Sequence, residues 1–384
     1  MDADFVNRKE TENIVPIKLN NKKEYFDSLR NVEQSWSGRI DVFFANDFFR
    51  EAVQLIINAI VLLEKGYFDC AFYSLRQSLE LSTTVVYLVD DSEDNRKQEL
   101  RRWLSQDNFP MHGQMITELK KREGTFADIR NKMTLYFNEI EEAKRSLNKY
   151  VHKQGYDRFY IYRDHPLNNN RKKEKIKMIS DFETYLIKSI GAIAVFRLAV
   201  DPFPILLMDE SIYNRTGDLM TVAYSDEFVE KYIGIEHTEA YKKTNLYMSY
   251  YDSIIKNEEM RPAVVKLIKF GIINREEIDE ILSQEHLLSR HDLVAVALVQ
   301  FSNKIANIYC IGGLHWYNTN IETKRRNMGF DSRDFNADKF KTTRYNVPYD
   351  EAFLSLMKIG EEEFYIEHND KFDDKEISAL NLIL

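Results

Sequence analysis

The chain has 384 residues, of which 44% are apolar and 30% charged, with a formal net charge of −9. That balance supports a sizeable folded core without staples and excludes a surface that is basic throughout, so any nucleic-acid contact must use a local patch. Glycine (13) and proline (7) are scarce, which argues against a turn-rich sandwich or barrel and predicts long helices.

Residues 1–20 alternate charge without an apolar run, so no signal peptide is expected there. Residues 1–38 read as a polar lead-in. From Ile40 to Lys65 the pattern is helical and apolar on most faces, and Gly66 stops it. A second helix over 67–89 carries Phe68, Ala71, Phe72, Leu75, Leu79, Ser82 and Val86 on one stripe. Cys70 lies within that pattern and is expected as a small buried hydrophobe. The other cysteine, Cys310, is far away in sequence with no CxxC pair, which fits a reducing, cytoplasmic setting. After the acidic turn at 90–94 come a polar helix over 96–105, another near Gly113, and one long amphipathic helix over 126–151. The last turns Tyr136, Ile140, Ala143, Leu147 and Tyr150 inward. Residues 153–177 read as a loop, and a strong helix follows over 179–200. Asp201-Pro-Phe-Pro204 ends it, because two prolines within three residues cannot continue a helix. The apolar runs 43–63 and 185–200 are interrupted by Asp47, Arg50, Glu51 and Gln54, and by Lys188 and Arg197. They read as core helices and not as membrane spans.

In the second half a short apolar segment, Ile205-Leu-Leu-Met208, precedes helical patterns at 225–233, 238–256 and 259–270. Gly271 caps the last of these, and Asn274 is placed to cap a helix over 275–284. Residues 267–282 could spell a helix–turn–helix. Glu276, Glu277, Asp279 and Glu280 would sit on its recognition helix, so DNA is rejected in favour of a helical hairpin for protein contact. An apolar helix is expected over 291–310, and Phe364-Tyr-Ile366 as a short strand. The expected architecture is mainly α: a lead-in over 1–38, a helical bundle over 39–200, and a helical C-terminal domain over 201–384 with little or no strand, used for sensing, docking or dimerisation.

Chemistry concentrates near residue 150. Arg145 and His152 are seven residues apart, about 700° of helical rotation, so both point the same way. Asn148 and Lys149 lie between them on nearly the same side, away from the apolar stripe. Such a row suits a phosphate: arginine offers a fixed fork of donors, and a histidine near neutral pKa moves protons. A second pair of this spacing, Arg158 and His165, runs into Pro166. Residues 149–177 hold nine basic side chains against three acidic ones, interleaved with Tyr156, Phe159, Tyr160 and Tyr162. Lys153 and Arg158 belong to this island, which reads equally as a base-stacking RNA surface and as a solvated loop. Arg76 and Glu80 form an i,i+4 pair with Tyr73 on the same side, either an interhelical salt bridge or one wall of a cleft shared with His152.

The combination Gly66-Tyr-Phe-Asp-Cys-Ala71, Arg76, Glu80 and Asn148-Lys-Tyr-Val-His152 resembles HEPN and HEPN-like helical proteins of bacterial toxin–antitoxin and phage-defence systems, over about residues 40–200. The resemblance implies metal-independent RNA cleavage at a cleft of a homodimer. Arg145 would hold the scissile phosphate and His152 would serve as general acid/base for attack by the 2′-hydroxyl. Asn148, Lys149, Lys153 and Arg158 are the RNA-binding candidates of the polar row and the basic island, and for Arg76, Glu80 and Tyr73 the resemblance favours a supporting, scaffold role. This chain has Ser146 where active relatives often carry a polar Asn, Asp or His. Some relatives keep the scaffold without the nuclease arginine, so the alternative is a non-catalytic interaction or regulatory protein.

No cofactor, metal, DNA or membrane partner is expected, whereas RNA and a protein partner at the C-terminal domain are. HExxH, EF-hand, Walker A, GxGxxG and GxSxG spellings are missing from the sequence. His286 and His291 point about 140° apart on a helix. A third, remote reading is a metal nuclease using Glu322 and Lys324. Gly312-Gly-Leu-His-Trp316 is a turn that packs or lines a pocket.

Overall fold

A computed structural model describes residues 4, 5, 7, 16–159, 169–216, 221–311, 315–326, 335 and 337–383. The chain divides into two compact units: residues 1–208 with 220–251, and residues 209–219 with 252–384.

The first unit is helical. Helices α1 (Lys22–Gln34), α2 (Ala45–Glu64) and α3 (Phe68–Val89) come first. They are followed by α4 (Glu93–Ser105) and α5 (His112–Lys121). The stripe read on α3 is buried along its length, and α3 packs against α2, where Ala52, Ile56, Ala59 and Leu63 are also buried. Gly66 joins the two helices at φ 88°, a left-handed conformation that an L side chain rarely adopts. Cys70 departs from expectation: it sits on α3 but is exposed, because its position falls between the buried Phe68 and Ala71 and off their stripe.

The long helix expected over 126–151 is broken at Met133 (φ −105°, ψ 37°) into α6 (Thr125–Lys132) and α7 (Thr134–Val151). The Thr134 hydroxyl donates to the carbonyls of Asn131 (2.8 Å) and Arg130 (3.3 Å), satisfying acceptors at the interruption. At the other end of α6, Asp90 accepts from the backbone N–H of Thr125 (2.8 Å) and Phe126 (3.3 Å). Gly124 is required there, since a Cβ would lie 2.7 Å from the Asp90 carboxylate. The inward face of α7 is as expected: Tyr136, Ile140, Ala143, Leu147 and Tyr150 are all buried. Helix α8 (Arg171–Leu198) starts within the stretch read as a loop, since its first turns are basic and carry no apolar stripe to signal a helix. Phe72 of α3 stacks on Tyr150 of α7 with ring centroids 4.1 Å apart, and Phe182 of α8 meets Phe72 edge-on at 5.6 Å. Arg197, buried in α8, donates to the Ser35 carbonyl (2.9 Å) and pairs with Asp201 (3.2 Å), so an arginine in an apolar run is neutralised in place.

The second unit overturns the expectation of little or no strand. It holds a six-stranded mixed sheet in the order β1-β3-β2-β6-β5-β4. The strands are β1 (Ile272–Ile273), β2 (Ile305–Cys310), β3 (His315–Thr319), β4 (Val347–Tyr349), β5 (Ala352–Ile359) and β6 (Glu362–His368). The helix expected over 291–310 covers only Arg290–Phe301, capped by a reciprocal Ser289–Asp292 box. Ser302 is extended (φ −145°, ψ 136°), and Ile305-Ala-Asn-Ile-Tyr-Cys310 continues as β2. All six of these residues are buried, and a strand covered on both faces shows no alternation to separate it from a buried helix.

The strand expected at Phe364–Ile366 lies within β6, which pairs with β5 through a tight turn containing Gly360 (φ 67°). The helical hairpin expected over 267–282 is not formed. Between the helices Ala263–Phe270 and Ile278–Ser283 the chain enters the sheet as β1, parallel to β3. Gly271 does cap the first of these helices, and the Asn274 side chain accepts from the Glu276 N–H at 3.2 Å. Among the described residues no helix is long and apolar enough to cross a membrane.

Candidate phosphate-binding cleft

Within the first unit, α3, α5, α6, α7 and α8 enclose a cleft of about 560 Å³. Residues at i, i+3, i+4 and i+7 share a helix face, and this spacing builds two of its walls. Arg76, Leu79, Glu80 and Thr83 come from α3, while Ile140, Glu141, Lys144, Arg145 and Asn148 come from α7. Helix α5 adds His112, Gly113, Ile116 and Lys120, and α6 adds Phe126 and Arg130.

The charges are unequal. Arg76, Lys120, Arg130, Lys144 and Arg145 face two carboxylates, Glu80 and Glu141. Both carboxylates are already engaged. Glu80 takes Arg76 at 2.8 Å and Lys144 at 3.6 Å, and Glu141 takes Lys120 at 2.9 Å and Arg130 at 3.1 Å. Burial pushes Glu141 up, but its bonds to Lys120 and Arg130 outweigh that and hold it below the ordinary carboxylate value. Lys144, whose side chain is only 16% exposed, is pushed down to about 8, chiefly by burial, with the Arg76 charge adding to it and Glu80 opposing.

His112 is pushed down to about 3 by burial and by the charges of Lys144 and Arg76. It is therefore a neutral ring near pH 7. Its Nε2 lies 3.1 Å from the Thr83 hydroxyl, which itself donates to the Leu79 carbonyl at 2.9 Å.

The structure brings together Arg145, Asn148, Arg76 and Glu80. The Asn148 Oδ1 accepts from Arg76 Nε at 2.8 Å, tying α7 to α3. Arg145 is exposed at the mouth. His152 does not line the cleft. It is the exposed C-cap of α7 (φ −90°, ψ 7°), its N–H bonded to the Asn148 carbonyl at 2.9 Å. Lys149 is exposed on α7, outside the lining. Lys153 forms an ion pair with Asp69, and the Arg158 guanidinium lies over the Tyr150 ring at 4.6 Å. Tyr73 also lies outside the cleft, its hydroxyl pushed up by burial and by Asp69 and Cys70.

Of the basic–aromatic island, Tyr156 and Phe159 are exposed and meet edge-on at 5.4 Å. Tyr160, Tyr162, Arg163, His165 and Pro166 lie outside the described residues. His112, Lys144, Lys120, Arg130 and Glu141 were missed in the sequence. The one local signal is the run Glu141, Lys144, Arg145, Asn148, a polar i, i+3, i+4, i+7 row beside the apolar stripe.

In the second unit, Lys324 pairs with Asp370 at 2.9 Å and the Glu322 carbonyl accepts from Asn369 at 2.8 Å; neither residue lies on a strand. Among the described residues no group of three or more His, Cys, Asp or Glu side chains is placed to hold a metal ion. His291 lies 3.4 Å from Glu362. Trp316 of β3 packs edge-on to Tyr309 at 6.0 Å, and Gly312, Gly313 and Leu314 lie outside the described residues.

Compared with family models, with curated proteins and with solved structures, the chain matches none.

Proposed function

We propose that the first unit is an RNA-directed helical module that grips a phosphate at the cleft mouth with Arg145, on a scaffold resembling HEPN-like proteins of bacterial defence or toxin systems. One observation carries this reading. Arg145 is exposed at a cleft where cations outnumber carboxylates, and each carboxylate already holds two cations. An added anion is what balances such a site, and arginine presents the planar fork that suits phosphate oxygens. Tyr156, Phe159 and the exposed Lys149, beyond the end of α7 and on it, extend the surface along which a strand would run.

A second reading adds cleavage. Arg145 and His152 are both exposed, about 10 Å apart along the helix axis, which is two turns. In that reading His152 transfers the proton as the 2′-hydroxyl attacks without a metal, with a paired protomer completing the cleft. Incubating the full chain with RNA and a chelator separates the readings. Binding that weakens in Arg145→Ala with no cleavage supports the binding module. Cleavage that survives chelator and is lost in His152→Ala supports the nuclease. RNA binding unchanged by Arg145→Ala would sink both.

A further inference from the structure

The two lysines of the cleft are held differently. Lys120 forms an ion pair with Glu141 at 2.9 Å. Lys144 reaches Glu80 only at 3.6 Å, beyond hydrogen-bond distance, because Arg76 already occupies that carboxylate at 2.8 Å. Arg76 is itself fixed in place by Asn148 at 2.8 Å. The Lys144 side chain is 16% exposed and lines the cleft. Burial and a neighbouring guanidinium both work against a charged amine, and these are the conditions that turn a lysine into a nucleophile. With its proton lost at about 8, about one Lys144 in ten is neutral at pH 7, against about one in three thousand for an ordinary lysine. A neutral amine does nothing to hold an anion, but it attacks a carbonyl carbon.

We infer that Lys144 is a nucleophile that forms an imine with a small phosphorylated aldehyde, whose phosphate Arg145 holds at the cleft mouth. The two residues are adjacent on α7 and both line the cleft, Lys144 half-buried and Arg145 exposed, so a ligand carrying both groups meets both. A volume of about 560 Å³ admits a ligand of that size. The Nζ lone pair forms the C–N bond while the carbonyl π pair moves to oxygen, which takes up a proton. Loss of that oxygen as water leaves the C=N bond. One amine and one aldehyde give one imine and one water, with no oxidant or reductant consumed. The inference goes beyond the RNA reading, with which it shares only the phosphate grip of Arg145.

The probes are glyceraldehyde 3-phosphate and glyceraldehyde, each added to the full chain with cyanoborohydride, which reduces an imine to a stable amine. Peptide mass spectrometry then reads the labelling of each lysine separately. With the phosphorylated probe, Lys144 should label at least about tenfold faster at pH 7 than Lys120 or the exposed Lys149. That preference should shrink toward pH 10, where ordinary lysines also become neutral. Removing the phosphate from the probe, or Arg145 from the protein as Arg145→Ala, should each slow Lys144 about tenfold, the effect of one charge-assisted contact. Lys144→Arg keeps the charge and should leave the cleft without a fast-labelling residue. The wild-type map stands without any variant, so a misfolded substitution does not decide the outcome.

The inference is overturned if Lys144 labels no faster than Lys120 and Lys149, or if it labels equally with both probes, or if Arg145→Ala leaves its rate unchanged. The two proposals fail separately. RNA binding that weakens in Arg145→Ala, with Lys144 labelling like any exposed lysine, overturns the aldehyde site and keeps the RNA grip. Fast, phosphate-dependent labelling of Lys144, with RNA binding unchanged in Arg145→Ala, keeps the aldehyde site and removes RNA as a ligand.

Discussion

The two units treat arginine in opposite ways. In the first, Arg145 is exposed at a cleft with surplus positive charge. In the second, Arg325 is 2% exposed in its side chain and closed on every side. Its Nε donates to Glu367 at 3.2 Å and its Nη2 reaches both Glu210 oxygens, at 2.9 and 3.1 Å. The Glu367 carboxylate, wholly buried, also accepts from the Tyr309 hydroxyl (2.5 Å), from Asn307 (3.1 Å) and from Thr323. Burial pushes Glu210 up, with Arg325 working against it. The difference separates a charge closed by its neighbours from one left open to solvent. A buried cation matched by carboxylates and hydroxyls has nothing left to offer a ligand, while one at a mouth whose carboxylates are already taken does.

The largest effect should come from the closed network. Arg325→Leu leaves Glu367 buried and Glu210 half-buried without their cation, and breaking a buried pair costs about 3–5 kcal/mol. Urea unfolding of the full chain should show an early transition for the second unit while RNA binding persists in the folded fraction. A loss below about 1 kcal/mol, the size of a surface pair, would break the contrast drawn here.

Arg145→Ala should show the reverse pattern. An exposed side chain away from the core changes stability by less than about 0.5 kcal/mol. Losing one charge-assisted phosphate contact, worth about 1.4 kcal/mol, weakens RNA binding about tenfold. Melting and electrophoretic binding assays on the same preparation read both. A large fall in melting temperature would place Arg145 with Arg325, as a structural charge.

What was legible follows from range. The α3 stripe from Phe68 to Val86 and the α7 stripe from Tyr136 to Tyr150 are periodic over about five and four turns, and each is buried as its period implies. Gly66 and Asn274 act locally and were readable one residue at a time. The sheet was not, because β2 is buried on both faces and β1 is two residues long, too short to show any period. The cleft was half legible. Arg145 and Asn148 stand on one helix row, and Arg76 with Glu80 on another, so each pair announces itself. His112 and Lys120 come from α5 and Phe196 from α8, and no spacing along the chain signals that these helices meet. The rotation that aligned His152 with Arg145 holds for an ideal helix, but the chain leaves helical geometry at His152 itself.

The smallest effect is the most discriminating, because its sign differs between ligand and fold. Lys144 titrates at about 8 against an ordinary 10.5. An anion in the cleft favours the charged form, so the bound state holds its proton to higher pH and binding takes up a proton. Affinity for RNA should then fall several-fold as pH rises from 7 through 8 and beyond. The phosphodiesters of RNA keep their single charge throughout that window and contribute no slope. Stability runs the other way. Between about 8 and 10.5 the unfolded chain holds the Lys144 proton and the folded chain does not, so this group makes the fold more stable as pH rises. Lys144→Met should remove both slopes, lowering affinity at pH 7 and leaving it flat to pH 9. Affinity and stability that fall together with rising pH in the wild type would mean that the cleft itself is opening. In that case Lys144 is a packing residue, and the contrast with Arg325 narrows to Arg145 alone.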